Sequence, residues 1–197
     1  MGGLFKLIAM DYRRNEDRIE FNSISGLSYN QQLDISWIEP SGGFTEPVTL
    51  EEVKLFCKID FNDDDELIEM LITAAREMCE DYTNIGFVNR EITAVINNGN
   101  GGFYLSLGPV TSDLVVGYDK DDNEVELTLS GSKFKQVLQP RLHLMTVDYT
   151  AGHEVLPMKL KTALLNAIFY LYDNRATGAD NIGPIAQMIL NPLRRVW

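Results

Sequence analysis

Two stretches of the chain show helical periodicity, and a region with a period of two lies between them. In residues 63–84, apolar side chains recur every three or four positions, at Leu67, Leu71, Ala74, Ala75, Met78 and Tyr82. Glu69, Arg76 and Glu80 fall on the opposite side, so this stretch predicts an amphipathic helix. Residues 157–175 carry apolar side chains around most of the helix, which predicts a central position in the core.

Two shorter helices are predicted at 49–58 and 184–193. Thr49 is followed three residues later by Glu52, which is the spacing of a capping box at the start of a helix. The last helix follows Gly183–Pro184, and proline is favoured at the first helical position. The chain therefore has about four predicted helices.

Between residues 90 and 150, short segments with alternating apolar and polar side chains are separated by turn-forming clusters of glycine, asparagine and aspartate. Five strands are predicted, at 91–96, 103–107, 113–118, 124–129 and 141–149. Their spacing of roughly ten residues with short turns indicates an antiparallel sheet of the meander type. The predicted fold class is α+β: a mainly helical core of about four helices, with an antiparallel β-sheet inserted between the second and third helices. The helices on both sides of the insertion must pack against each other, because such apolar faces are unstable in water.

Residues 1–46 are more polar than the rest, and we interpret them as an N-terminal arm that precedes a domain over 47–197. One candidate strand covers 33–39, and alternation places three apolar side chains on one of its faces: Leu33, Ile35 and Trp37. This strand has no obvious partner nearby in the sequence. We expect it to pair elsewhere in the fold or with a neighbouring subunit, because exposed strand edges invite pairing.

The net charge of the chain limits the kinds of partner that it can bind. Twenty-nine acidic residues against 17 basic ones give a formal net charge of -12. Such a chain repels a polyphosphate, which disfavours stable nucleic-acid binding as its main activity. The N-terminal apolar run is short and interrupted by Lys6, unlike a secretory signal, and no segment approaches the roughly 20 apolar residues of a membrane span. We expect a soluble, cytosolic product with no membrane partner.

Candidate chemical sites in the sequence are incomplete. Cys57 and Cys79 lie in separate predicted helices without zinc-binding spacing, and we interpret them as buried free thiols. Residues 60–65 and 119–124 match the opening of an EF-hand loop, but both lack the required glycine and the final glutamate, so helix capping and a hairpin turn are favoured. Patterns for a serine nucleophile, a zincin or a phosphate loop do not occur. We therefore expect no catalytic residue, no cofactor and no metal.

Two blocks of the sequence, in a fixed order, carry a resemblance to a known family. The first block comprises Pro47–Asp60 (PVTLEEVKLFCKID), residues 63–68 (DDDELI) and residues 74–77 (AARE). The second comprises Val147–Gly152 (VDYTAG), Leu156–Pro157, residues 160–163 and Tyr172–Arg175 (YDNR). With a β insertion between them, the blocks resemble the small head-tail connector (adaptor) proteins of tailed bacteriophages and prophages. The resemblance covers residues 47–194, and the first 46 residues depart from it.

The resemblance implies a structural protein rather than an enzyme. It implies a ring of about twelve subunits in the virion neck, made in the host cytoplasm, that docks below the portal after DNA packaging and joins head to tail through heterologous contacts. The implied partners are copies of itself, the portal protein and a tail-side completion protein, while DNA only passes through the lumen. The acidic charge adds a hypothesis: carboxylates near the lumen keep passing DNA from adhering.

The candidate interface residues combine aromatic and arginine side chains, which dominate the energetics of protein interfaces. They are Trp37 in the arm strand, Phe44 in the following loop, and Arg194, Arg195 and Trp197 at the C-terminal end. For the C-terminal tail the alternative is that it folds back onto its own core.

Two other functions remain open at this point. A β-sheet binding or adhesion module would present exposed aromatic residues such as Phe103 and Tyr104 on a concave face. A carboxylate-dependent hydrolase would show a cleft containing carboxyl groups with shifted pKa values.

Overall fold

The computed structural model describes residues 36–38, 45–96, 103–105, 107–112, 115–119, 121–132, 134–138, 145–175 and 181–194. The helices in these ranges are α1 (Leu50–Cys57), α2 (Asp65–Thr83), α3 (Met158–Asp173) and α4 (Pro184–Leu190), which a 3-10 turn, Asn191–Leu193, extends. The strands are β1 (Ser36–Ile38), β2 (Arg90–Ile96), β3 (Phe103–Tyr104), β4 (Val116–Asp119), β5 (Glu124–Val125), β6 (Leu129–Ser130), β7 (Gln136–Val137) and β8 (Met145–Ala151). Four helices with an antiparallel sheet between α2 and α3 confirm the α+β prediction. Of the predicted arm, only 36–38 and 45–46 lie within the described residues.

Helix α1 begins at the predicted capping box. The backbone N–H of Glu52 donates to Thr49 Oγ1 at 3.3 Å, and the backbone N–H of Thr49 donates to Glu52 Oε2 at 3.2 Å. Each side chain thus satisfies a backbone donor that the helix itself cannot pair. The helix ends at Lys58, whose left-handed conformation lets its N–H donate to the carbonyl of Lys54.

Helix α3 is the centre of the helical layer. Its buried residues face α2, α1 and α4 from one broad side: Leu160, Ala163, Leu164, Ala167, Ile168 and Leu171. Leu71 and Met78 of α2 are partly buried and pack against the same apolar cluster. Helices from both sides of the β insertion therefore share one core, as the apolar periodicity predicted.

The buried face of α2 is rotated relative to the predicted one. Its fully buried apolar residues are Ile68, Ile72, Ala75 and Cys79. Two charged residues that the pattern placed on the solvent side, Arg76 and Glu80, are only 1% and 3% exposed. The prediction was wrong here because oppositely charged partners supplied by distant segments allow these side chains to enter the interior.

Arg76 and Glu80 form the centre of a buried charge cluster that joins three segments. Arg76 Nε donates to Glu46 Oε2 at 3.0 Å, and Arg76 Nη1 donates to Glu80 Oε2 at 2.9 Å. Arg90 Nη2, at the start of β2, lies 3.0 Å from the same Glu80 oxygen, and the Phe87 N–H donates to Glu80 Oε1 at 2.6 Å. Burial raises the pKa of Glu80, against the opposing effect of the arginines and the Phe87 amide. We name this set the Glu80 cluster.

The strands form two antiparallel sheets that share a second apolar cluster. One sheet has the order β1-β2-β8-β4-β5, and the other has the order β3-β7-β6. Alternate residues of β8 point into the cluster, at Met145, Val147, Tyr149 and Ala151. Leu105 and Val137, from the segments of the smaller sheet, pack against the same cluster, so the two sheets cover each other.

The meander prediction was wrong in its strand order. The last strand, β8, lies between β2 and β4, and its pairing with β2 extends from Arg90↔Ala151 to Ile96↔Met145. The single strand predicted at 124–129 is instead two short strands, and these belong to different sheets. The chain leaves one sheet for the other within this segment, so a continuous strand cannot form.

The sheet and the helical layer meet at a close backbone contact between Gly86 and Gly152. The carbonyl oxygen of Gly86 lies 2.8 Å from Nδ1 of His153, and the Gly152 N–H donates to the Pro109 carbonyl at 2.9 Å. Gly152 has a φ of +121°, and a Cβ there would lie 1.9 Å from the Val88 oxygen. Only glycine fits this position, which explains the glycine that follows the β8 sequence.

Replacing Arg76 with methionine should lower the free energy of unfolding by about 3–5 kcal/mol, because Glu80 would lose a buried partner. Glu77→Gln is the matched control, since Glu77 is exposed and lies 3.4 Å from the same guanidinium. That change should cost less than about 1 kcal/mol. Urea unfolding at neutral pH measures both, and equal losses would contradict the structural role of the Glu80 cluster.

Replacing Gly152 with alanine should cost more than about 2 kcal/mol, because the new methyl group meets backbone atoms at a positive φ. Gly117→Ala is the comparison, since a Cβ there meets the Leu127 side chain at 2.8 Å, and a side chain can move aside. Thermal unfolding of the two variants should show a clearly larger loss for Gly152→Ala. A smaller loss at 152 than at 117 would show that the junction is not tightly packed.

Candidate assembly surface

Strand β1, which contains the predicted interface residue Trp37, lies at an edge of the larger sheet. It pairs antiparallel with β2, and Trp37 is opposite Ala94. Of the two partners expected for this strand, the structure provides the intramolecular one. Phe44, predicted in the following loop, lies outside the described residues.

Arg194, the first predicted interface residue of the C-terminal tail, contacts residues of its own chain. Arg194 is exposed, and its guanidinium lies over the Tyr82 ring, 4.9 Å from the ring centroid. Its backbone N–H donates to the carbonyl of Leu190 at 3.1 Å. Arg195 and Trp197, the other predicted residues of this tail, lie outside the described residues.

Large apolar side chains on α1 and α3 remain exposed. Leu55 is 82% exposed and Met158 is 74% exposed, while Phe56 and Phe169 are nearly half exposed. Large apolar side chains with this degree of exposure are candidates for contact with another protein. The sequence predictions did not identify these residues. We name the set of Leu55, Phe56, Met158 and Phe169 the α1–α3 surface.

Two polar contacts hold α1 alongside α3. The Lys161 amine lies 2.5 Å from Glu52 Oε1, which connects the first turns of the two helices. Near the end of α3, the Tyr172 hydroxyl donates to Asp64 Oδ2, in the loop after α1, at 2.6 Å. Hydrogen bonds from Lys161 and from the Thr49 backbone lower the pKa of Glu52. The two helices therefore run in the same direction with α1 against one flank of α3.

Helical spacing places apolar side chains along that same flank. Met158 precedes Lys161 by three residues, Leu165 follows it by four, and Phe169 follows by eight, with Tyr172 three residues later. Residues three and four apart are neighbours on the surface of a helix, so these five form one row. On α1, Phe56 lies four residues after Glu52 and consequently faces α3. Phe56, Met158 and Phe169 therefore lie along the side where α1 meets α3, while Leu55 is about 100° from Phe56 around α1 and points to solvent.

A second exposed apolar region lies on α4. Ile185 and Met188 are three residues apart, and they are 53% and 68% exposed. The N-terminal end of this helix rests on α3, because a Cβ at Gly183 would lie 2.5 Å from Cγ of Tyr170. We name Ile185 and Met188 the α4 surface.

The cysteines and the acidic stretches contribute to packing, to an ion pair and to hydrogen bonds within turns. Burial raises the pKa of Cys79 to about 12, which keeps this thiol protonated at neutral pH. Cys57 is only partly buried, so the prediction of two buried thiols holds for Cys79 alone. Asp65 pairs with the Lys54 amine at 2.6 Å, and Asp119 accepts hydrogen bonds within its hairpin turn. In the part of the chain that the structure describes, no group of three His, Cys, Asp or Glu side chains could hold a metal ion.

Two carboxyl groups, those of Glu80 and Asp148, have raised pKa values. Burial is the main cause in both cases. Asp148 accepts a hydrogen bond from the Thr93 hydroxyl at 2.6 Å, which connects β8 to β2, and Glu80 belongs to the buried cluster described above. Both groups therefore make internal contacts between segments. None of the described helices combines the length and the apolar character that crossing a bilayer requires.

Comparison with solved structures shows where this fold occurs. The alignments cover 82% of this chain and 96% of each matched chain. One match is the neck of an empty GTA particle computed with C6 symmetry, with a TM-score of 0.66 and 16% identity. The others are the virion of a native gene transfer agent particle (0.65, 17%) and the neck of a native GTA particle computed with C12 symmetry (0.55, 18%). No curated protein matches the chain.

Comparison of the sequence with models of protein families identifies the family of this chain. The model of the phage gp6-like head-tail connector protein family matches residues 47–188. The matched range contains all of α1, α2 and α3, both sheets except β1, and most of α4. It includes both sequence blocks that carried the resemblance. The chain therefore belongs to the phage gp6-like head-tail connector family, whose members are structural proteins.

Proposed function

We propose that this chain forms a ring of about twelve subunits in the neck of a phage or prophage particle, where it joins the portal to the tail after DNA packaging. The observation that carries the proposal is the family match over residues 47–188. The occurrence of this fold in particle necks computed with C6 and C12 symmetry supports a cyclic arrangement. The proposed partners are further copies of the chain, the portal protein and a tail-side completion protein.

The α1–α3 surface supports a role in assembly. Leu55 is 82% exposed, and a protein that covers this side chain removes its apolar surface from water. That burial stabilises the resulting complex. We propose that residues 47–197 form the connector domain and that residues 1–46 extend it. The residues predicted from the sequence, Trp37, Phe44, Arg194, Arg195 and Trp197, are proposed as further contacts between subunits or with the portal.

The solvent face of α2 suits a ring through which DNA passes. Its exposed charged residues are Glu66, Glu69, Glu77 and Asp81, while its arginine, Arg76, is buried. We propose that carboxylates of this kind face the lumen, where they repel the phosphates of passing DNA. A ring whose lumen is lined mainly by lysine and arginine would refute this arrangement.

The ring is tested with the full chain, alone at increasing concentration and together with the portal protein of the same phage or prophage. Sedimentation velocity and negative-stain imaging should show closed rings of about twelve subunits. The double variant Leu55→Asp/Met158→Asp should form few or no rings, because burying the two carboxylates would cost several kcal/mol per subunit contact. Circular dichroism should confirm that the variant is folded, since both side chains are exposed.

Met70→Asp is the matched control for these substitutions. Met70 is 66% exposed on α2, outside the α1–α3 surface, so the variant should assemble like the unmodified chain. If the unmodified chain forms no ring in either setting, the proposed function is wrong. Normal rings from the double variant would show instead that the α1–α3 surface takes no part in assembly.

A further inference from the structure

Helix α1 is attached to the domain more weakly than α2 and α3. Among its eight described residues Val53 alone is fully buried, whereas α2 buries seven residues and α3 buries six. Leu50 and Cys57 add partly buried contacts to the same apolar cluster. Segments with few buried apolar contacts open locally while the rest of a protein stays folded. We infer that residues 49–63, which comprise α1 with its cap and the following loop, open as one unit, and we name this unit the α1 flap.

Both ends of the α1 flap are fixed to other parts of the domain. Before it, Glu46 accepts a hydrogen bond from Arg76 of α2 at 3.0 Å. After it, Asp64 accepts a hydrogen bond from the Tyr172 hydroxyl near the end of α3 at 2.6 Å. Because the ends stay in place, opening breaks only the contacts of the flap itself and frees a closed loop of chain. The rest of the domain does not have to unfold for this to happen.

The residues between these anchors are mostly in contact with water. Nine of the 15 residues are exposed, among them Leu55, Phe56 and Phe61. The helix has only eight residues, and isolated helices shorter than about 12 residues are marginal in water. The closed position of the flap therefore depends on Val53 and on polar contacts with its neighbours.

The polar contacts of the flap lie at the surface. Glu52 and Lys161 form an ion pair at 2.5 Å, but 43% and 25% of their side chains are exposed. Lys54 pairs with Asp65 at 2.6 Å, and these side chains are 15% and 31% exposed. Solvent screens ion pairs of this kind, and they contribute little to stability. Opening the flap leaves these charges solvated and uncovers the flank of α3 that carries Leu165.

Hydrogen exchange at low urea concentrations, followed by NMR, tests the inference. Amides bonded within the flap, those of Val53 and Ile59, should exchange at least about 100-fold faster than the buried amides of α3. Their rates should not change with urea below the unfolding transition, because local opening exposes little surface. The amides of α3 should accelerate with urea. Equal rates and equal urea dependence in both segments would overturn the inference.

The variant Leu190→Ala separates local opening from global unfolding. Leu190 is fully buried at the end of α4, and the next residue, Asn191, accepts a hydrogen bond from Tyr82 in the last turn of α2. Tyr82 is 17 residues along α2 from Asp65, the residue that pairs with the flap, which corresponds to about 26 Å. The variant should accelerate exchange in α3 at least about 30-fold and leave the flap rates unchanged. Acceleration of both segments by the same factor would show that the flap opens only when the domain unfolds.

The variant Val53→Ala is the matching change inside the flap. It should accelerate exchange of the flap amides at least about 10-fold, because Val53 is the main apolar contact that keeps the flap closed. Unchanged flap rates would contradict the inference. If Leu190→Ala does not fold, Ile182→Val in the same apolar cluster gives the same comparison, with an effect of about 5-fold on α3. All measurements are made at a dilution that keeps the chain monomeric, so failure of the proposed ring would not change their outcome.

Discussion

Glu80 has its carboxylate at the point where the helical layer, the sheet and the beginning of the domain meet. It accepts hydrogen bonds from Arg76 and from the Phe87 amide, and it pairs with Arg90 at the first residue of β2. Arg76 in turn holds Glu46, just before α1. A buried carboxylate without such partners would cost several kcal/mol, so these segments must be in place together. The position of α2 thereby fixes β2, its partner β8, and the α3 helix that follows.

The helices could be predicted from the sequence because their causes are local. Apolar residues three and four apart and the Thr49–Glu52 capping box depend only on neighbouring residues. The burial of Arg76 could not be predicted in this way, because its acidic partner Glu46 lies 30 residues earlier in the chain. The position of β8 in the sheet also depends on distant residues, since both strands that flank it precede it by many residues. Strands of two residues, such as β7, are too short to show any alternation.

The candidate site was harder to predict than the fold. Trp37 and Arg194 were predicted as interface residues because aromatic and arginine side chains are frequent at interfaces. At these positions the structure shows a strand pairing and a stacking contact inside the chain. The exposed apolar residues could have been predicted from an excess of apolar residues on the helices. Helix α1 has more apolar positions than one buried face requires, and the residue left over is Leu55. On α3, the same excess predicted a central position in the core, which is confirmed, but Met158 at its first turn is exposed.

The contact between Gly86 and Gly152 leaves no slack between the two layers of the domain. At this contact a Cβ on Gly86 would lie 2.8 Å from Cα of Gly152, so the two main chains cannot relieve strain through a change of side-chain rotamer. The sheet and the helices must therefore move together at this point. In the ring proposed above, a force applied to the sheet of one subunit would therefore be transmitted directly to its helices.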